Sequence, residues 1–394
     1  MKTLLHGACV VFPNHSETTD VLLEHGSIIG IGDRLGCQPD ITVDASGCYL
    51  TPGFIDMHVH GGGDALFGDC TPEAFRTIMR THVRHGTTAM LSTLSASSTD
   101  TINACLDVYK TVKEASSAEP LPDLLGVHLE GPYFSGAERG AQDSAHLRLP
   151  DPEEYLSILE RSPYIRKWSA ACELPGALDL GRVLARRGII ASIGHSDASF
   201  AEVRTALEAG YSCITHFYSG CSSLRREQAW RRAGVVEAGF FFDDIWVEVI
   251  ADGCHLPESL LKLIYKIKGP ENICLITDAI RAAGVPDAEQ FYAGGSARDA
   301  SHFIVEKGVA FVPDRSVFAG SIATTDRLVR TMVQLAGVPL VEAVRMATLV
   351  PARRLGVDDR KGSITPGKDA DLVLLNQQLE AVDVYIRGMS CRDA

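Results

Sequence analysis

An α/β fold, a (β/α)8 TIM-like barrel with a small sheet domain built from both termini, is predicted by three features of this chain. Eight short apolar runs alternate with longer segments of helical period between Gly53 and Leu349, the pattern of parallel strands joined by crossover helices. Metal-ligand and acid/base side chains stand at the ends of several of those runs, where barrel enzymes keep their chemistry. Both termini instead read as short β-branched or apolar runs punctuated by Gly, Pro, Asn and Asp.

The N-terminal runs ACVVFP, VLLEHGSIIGIGD and ITVDASGCYL assign residues 1–51 to the small sheet domain. The barrel takes 52–349, with strands GFIDMHVH, TTAMLST, LLGVHLE, IRKWSAACE, GIIASIGH, SCITHFY, IWVEVIAD and ICLITD. Their number and alternation favour a closed barrel over an open sheet. FAEVRTALEAG, between the fifth and sixth, reads as an amphipathic helix with Ser199 or Asp197 as N-cap and Gly210 as its stop. The segment from Ala282 to Phe318 reads as a hairpin and loop lying over the barrel mouth. Short β signals return in GSITPGKDADLVLLNQQLEAVDVYIRGM, so 350–394 is expected to pair with the N-terminal strands in that sheet domain.

At 394 residues the chain can bury a large core, and a net charge of −13 argues against a nucleic-acid surface. Eleven cysteines without a C-x-x-C pair suggest reduced thiols rather than a zinc ribbon or disulfide framework. The start MKTLLHGACVVFPNHSE lacks a basic stretch followed by a long apolar run, and no segment has the roughly 18 apolar residues of a membrane span. A soluble, cytoplasmic protein with no membrane partner is expected.

Taken strand by strand, the ends give His58 and His60, Glu130 in HLEGP, His195 in IGHSD, His216 in THFY, and Asp278 in ITDA. On a strand, period-two alternation sends His58 and His60 to one face. Alone, each is a common structural histidine; the weight comes from four of 13 histidines ending three strands. Imidazoles with a carboxylate and no thiol suit an open divalent-metal centre, zinc before iron or manganese. Asp278 is then placed to move protons to and from water and a leaving group; its bland alternative is a helix cap.

The stretches TPGFIDMHVHGGG, GVHLEGPYF with GAQD, IGHSDA, THFY, IADGCHL, ITDA, FAGS, MATLVPARRLGV and GSITPGKDADLVLL resemble the amidohydrolase superfamily, and within it the N-acetylglucosamine-6-phosphate deacetylase family, over nearly the whole length. That resemblance implies a (β/α)8 metal-dependent hydrolase barrel with a small β-sandwich formed by both termini, and hydrolytic removal of the acetyl group from N-acetyl-D-glucosamine 6-phosphate in a homodimer. It implies a metal on Glu130, His195 and His216, and room for a second on His58 and His60 with the glutamate between; zinc is expected, with iron, manganese or cobalt as alternatives. Lys167 falls near the start of the fourth strand, whose end reads CELPG, which speaks against relatives that use a carboxylated lysine there.

By the same resemblance Gln142 and His255 contact the substrate, Gln142 near the acetamide, and Ser219 and Gly220 belong to the sugar-phosphate subsite. There the chain departs from the family, reading His216-Phe217-Tyr218-Ser219-Gly220-Cys221 and then a longer arginine segment. Arg231, with Arg225 and Arg226 as rivals, best matches the arginine that reaches the neighbouring subunit's phosphate. The departure leaves another N-acylated sugar open, either N-acetylgalactosamine 6-phosphate or an unphosphorylated amide.

Overall fold

The structure is a computed structural model that describes the chain apart from residues 34, 37, 116–118, 286–290, 294–301 and 393–394, with backbone alone at 291–293. Eight parallel strands form the central sheet in spatial order β8-β7-β6-β5-β4-β3-β2-β1. They are β1 (Phe54–Val59), β2 (Thr87–Leu94), β3 (Asp123–Glu130), β4 (Ile165–Ala170), β5 (Ile190–Ile193), β6 (Tyr211–Ile214), β7 (Trp246–Val249) and β8 (Ile273–Leu275). Beyond β8, the Asp278 amide donates to the His58 carbonyl at 2.8 Å and Val59 bridges Ala279, so the sheet closes at the end carrying the histidines. All eight expected strands are present. β2 reads TTAMLSTL with every residue buried, as a strand covered on both faces requires.

The crossover helices begin where side chains can satisfy free N–H groups. Thr71 caps α1 (Pro72–Val83), which opens on a proline, and Ser98 caps α2 (Thr99–Glu114). α3 (Pro152–Arg161) and α4 (Ala177–Arg186) follow. Ser199 rather than Asp197 caps α5 (Phe200–Glu208), with Glu202 reaching back to close a capping box. Gly210 follows with φ +99°, and a Cβ there would meet the Ala185 Cβ at 2.5 Å. α5 therefore ends on a residue that only glycine can be.

The terminal strands Lys2–Val11, Ser16–Glu24, Ser27–Ile31, Ile41–Asp44 and Tyr49–Pro52 share one mixed sheet with Leu372–Leu375, Ala381–Ile386 and Met389–Ser390. The chain's two ends meet where Tyr49–Pro52 runs antiparallel to Leu372–Leu375. This sheet has its own apolar cluster, including Leu5, Val10, Val21, Leu50, Leu372 and Tyr385. The helix Leu349–Leu355 straddles the expected boundary at 350, and its Val350, Ala352 and Leu355 pack with Ile55 and Met57 of β1.

After β8, the strands Phe291–Ala293, His302–Glu306 and Val309–Phe311 form a small antiparallel sheet. Residues 286–290 and 294–301 of the expected hairpin segment lie outside the described residues. A second excursion, after β6, is the hairpin of Arg225–Glu227 and Trp230–Arg232.

Candidate metal and catalytic site

Six side chains meet at the carboxyl end of the barrel. Glu130 is the last residue of β3, His58 lies near the end of β1, and His60, His195, His216 and Asp278 follow their strands closely. His195, His216 and Asp278 have φ of +47°, +29° and +49°, a left-handed backbone that turns each side chain toward the barrel axis.

The six form two adjoining groups. Glu130 Oε1 lies 3.1 Å from His195 Nε2 and 2.9 Å from His216 Nε2, and the two imidazole nitrogens are 3.2 Å apart. Asp278 Oδ1 lies 3.3 Å from His58 Nε2 and 3.2 Å from His60 Nε2, themselves 3.1 Å apart. Glu130 faces both groups, since its Oε2 is 3.2 Å from His60 Nε2. The ligand atoms within each group lie within 4.8 Å of one another, close enough for one cation.

The opposite ring nitrogens show which atoms point inward as lone pairs. His195 Nδ1 donates to the Glu138 carbonyl at 2.9 Å, and His216 Nδ1 to the Ser219 carbonyl at 3.0 Å. A carbonyl only accepts, so the proton sits on Nδ1 and each neutral ring presents an Nε2 lone pair to Glu130. Lone pairs facing a carboxylate repel unless a cation lies between them, so the donor set fits a divalent metal. Charge leads to the same conclusion. Burial opposes the carboxylate charges, yet His58, His195 and His216 hold Glu130 well below its usual range, and His58 with His60 brings Asp278 down to about 2. Burial also opposes the His60 imidazolium, but Asp278 and Glu130 raise it to about 10. Two buried carboxylates thus draw positive charge into this place.

Above the cluster opens a cavity of about 600 Å³, lined by His60, Glu130, Gln142, His195, His216, Ser219, Gly220, His255 and Asp278 among others. Gln142 Nε2 donates to Glu130 Oε2 at 2.8 Å while its Oε1 accepts from the Ala96 amide at 3.0 Å. His255 is held by Asp252, at 2.9 Å through Nδ1, and its ring packs on Phe318. Arg231 stands apart from these residues on the exposed hairpin after β6, its Nη1 3.5 Å from the Ala229 carbonyl. Of its rivals, Arg225 is engaged by Asp197 at 2.5 Å, and Arg226 is exposed. Among the described residues, no lysine or arginine lines the cavity.

Sequence reasoning passed over the residues behind the ligands. Ser95 Oγ lies 3.1 Å from His60 Nδ1, the Glu138 carbonyl orients His195, and Asp252 orients His255. Asp252 carried a readable signal, an acid three residues before a histidine in IADGCH; a backbone carbonyl leaves none.

The amidohydrolase family model matches residues 49–390. The N-acetylglucosamine-6-phosphate deacetylase of Lysinibacillus sphaericus is 33% identical over 374 residues, 92% of this chain and 90% of that protein. The N-acetylgalactosamine-6-phosphate deacetylase of Escherichia coli is 33% identical over 342 residues, 86% of each chain. The crystal structure of N-acetylglucosamine-6-phosphate deacetylase from Pasteurella multocida superposes with a TM-score of 0.91 at 26% identity, covering 99% of both chains. With an eight-stranded barrel, two metal-type ligand groups at its mouth and these relatives over most of its length, the chain belongs to the amidohydrolase family of metal-dependent hydrolases.

Proposed function

We propose that the chain removes the acetyl group of N-acetyl-D-glucosamine 6-phosphate, giving acetate and D-glucosamine 6-phosphate. The observation that carries this reading is the convergence of Glu130, His195, His216, His60 and Asp278 on the floor of one cavity, with His58 beside Asp278 and His60. The relatives' names supply the substrate class. Glu130, His195 and His216 would hold one divalent ion, and His58 and His60, with Asp278 beside them, a second; zinc is the proposed metal, with iron, manganese or cobalt as alternatives. A divalent ion held there would supply Lewis-acid polarisation of an amide carbonyl and a lowered pKa for water.

The chain's own residues do the rest. Asp278, ionised and open to the cavity, takes a proton from the water that attacks the acetamide carbonyl, then passes it to the amine nitrogen as the C–N bond breaks. Gln142 keeps one Nε2–H free beyond its bond to Glu130, and it orients the acetamide. His255, held by Asp252, orients the sugar. Ser219 and Gly220 line the wall where the sugar phosphate would lie.

A phosphate needs a cation that the described lining lacks, and a second copy would supply it through Arg231 in a homodimer. Trp230, 72% exposed, and Leu224, 60% exposed, leave apolar surface beside that arginine for such a contact. Free cysteines fit a reducing compartment, so we place the enzyme in the cytoplasm. No helix among the described residues is long and apolar enough to cross a membrane.

A second reading keeps the chemistry and changes the sugar. The Tyr218-Ser219-Gly220-Cys221 turn, with a galactosamine-type relative as similar as the glucosamine-type one, motivates N-acetylgalactosamine 6-phosphate, and the lack of a lysine or arginine among the described lining residues motivates an unphosphorylated amide. Acetate release by zinc-reconstituted protein separates them. N-acetylglucosamine 6-phosphate is expected to exceed its galactosamine epimer and free N-acetylglucosamine in kcat/KM. Arg231→Ala should raise KM for phosphorylated sugar by roughly 10–100-fold, the worth of a charge-assisted hydrogen bond. Fully loaded protein that releases acetate from none of the three would overturn the deacetylase reading.

A further inference from the structure

One charged pair lies beneath the site in the barrel interior. Lys167 of β4 and Glu248 of β7 are both 0% exposed, and Lys167 Nζ donates to Glu248 Oε1. β4 and β7 are not neighbours in the sheet, so this ion pair spans the interior of the barrel. An interior of a barrel is ordinarily filled by branched apolar side chains, and burying two charges there is costly. Neither Lys167 nor Glu248 lines the cavity. Its remaining oxygen, Glu248 Oε2, instead faces His58 Nδ1 at 3.5 Å, and neither atom has a hydrogen-bond partner among the described residues.

We propose that Lys167 and Glu248 are positioning residues that orient His58 as a cation ligand. The argument is one of ring nitrogens. His195 and His216 set their tautomers through backbone carbonyls, whereas His58 Nδ1 faces a carboxylate. A carboxylate accepts the Nδ1 proton more strongly than a carbonyl does, which leaves Nε2 as a lone pair and raises its basicity. Nε2 then points at Asp278 and His60, 3.3 and 3.1 Å away, in the group that would hold the second ion. Lys167 supplies the counter-charge, so the acceptor beneath His58 adds no net negative charge to a cluster that already holds Glu130 and Asp278. His128 completes the seat. Its ring meets His58 edge-on at 4.6 Å between centroids, and is itself held by Ser169 at 2.7 Å.

The inference rests on the metal-dependent reading above, and its test is read without substrate. Cobalt(II) titration of the demetallated full chain, followed by visible absorption, counts the sites and their affinities. The wild-type chain is expected to bind two cobalt ions. Lys167→Met combined with Glu248→Leu replaces the pair by apolar groups of similar size, a change that buried ion pairs often tolerate in stability. It should keep one site at wild-type affinity and weaken the other by about 10–100-fold. Lys167→Met with Glu248→Gln restores an acceptor without charge, and should recover most of that loss. A merely structural pair would not show this rescue.

A second measurement stands if the double variants do not fold. In the zinc-loaded wild-type chain the His58 Nδ1 proton should appear as a slowly exchanging, downfield resonance in spectra of 15N-histidine-labelled protein. Wild-type cobalt affinity in the Met/Leu variant, a single cobalt site in the wild type, no rescue by Met/Gln, or a missing Nδ1 proton would each overturn the proposal. A chain that binds cobalt as expected yet releases no acetate would sink the deacetylase reading alone.

Discussion

At the scale of single residues, the site depends on which atom each side chain turns inward. Asp278 is the clearest case, a carboxylate held near pKa 2 and open to the cavity. Asp278→Asn keeps the shape and removes the proton acceptor. Its kcat is expected to fall by roughly 10²–10⁴-fold, with the metal on Glu130, His195 and His216 retained, as checked by steady-state kinetics beside elemental analysis. Full activity in that variant would end the proton-transfer role. Gly220 matters for a different reason. Its φ is +56°, and a Cβ would come within 2.8 Å of His195 Nδ1 and 3.1 Å of the Glu138 carbonyl, the two partners of the bond that orients His195. Gly220→Ala is therefore expected to cost about 1–2 kcal/mol in backbone strain and to weaken zinc binding by about 10–100-fold, read by chelator competition. Wild-type zinc affinity would show that the Glu138 bond does not set the ring.

At the scale of elements, the loop after β3 carries Gln142 and Glu138, and one side chain pins it. Arg148 donates to Glu154 of α3 at 2.7 Å, to the Ser97 carbonyl at 3.1 Å and to the His146 carbonyl at 2.8 Å. A lysine keeps the charge without the planar fork, so Arg148→Lys should loosen the loop by roughly 2 kcal/mol and raise KM more than it lowers kcat. Unchanged kinetics would mean that the loop is held by other contacts. The elements themselves were legible because each barrel strand is a short apolar run, several with a ligand-type residue at the end, a pattern that survives without any knowledge of packing. Ser199 and Gly210 marked the ends of α5 for the same local reason. The hairpin at 225–232 was hidden, because exposed arginines carry no period. Lys167 and Glu248 were hidden more deeply. A lysine early in a strand reads as solvent-facing, and nothing in IRKWSA or WVEV reveals a partner 81 residues away. Backbone carbonyls that orient His195 and His216 have no residue type at all.

At the scale of the whole molecule, the terminal sheet must be held to the barrel, and a cluster of charges lies at that seam. Asp123 opens β3, and it meets Arg360 at 2.5 Å, Lys113 at 2.6 Å and Lys361 at 3.7 Å. Arg360 and Lys361 in turn hold Asp369 at 2.7 and 3.0 Å, just ahead of the strand Leu372–Leu375 in the terminal sheet. Burial pushes the Asp123 carboxyl up, but Lys361, Lys113 and Arg360 outweigh it and bring it from 3.8 to about 2. A carboxylate whose folded pKa is depressed stabilises the fold above its unfolded pKa, and the contribution fades as pH falls through the folded one. A fall from 3.8 to about 2 corresponds to about 2 kcal/mol. Asp123→Asn should therefore lower the unfolding free energy by about 2 kcal/mol at pH 7 and equally at pH 5, where the carboxyl is ionised in both states. Between pH 4 and pH 2 the difference from wild type should shrink, because the wild-type carboxylate then takes up its proton in the unfolded chain first. Lys361 keeps Asp369 and Asp371 in the variant, so the seam should loosen without coming apart. Urea denaturation of both chains across this range measures the gap directly. A gap that stays constant from pH 7 to pH 3 would assign the loss to packing at position 123 and remove the charge cluster as the tie between sheet and barrel.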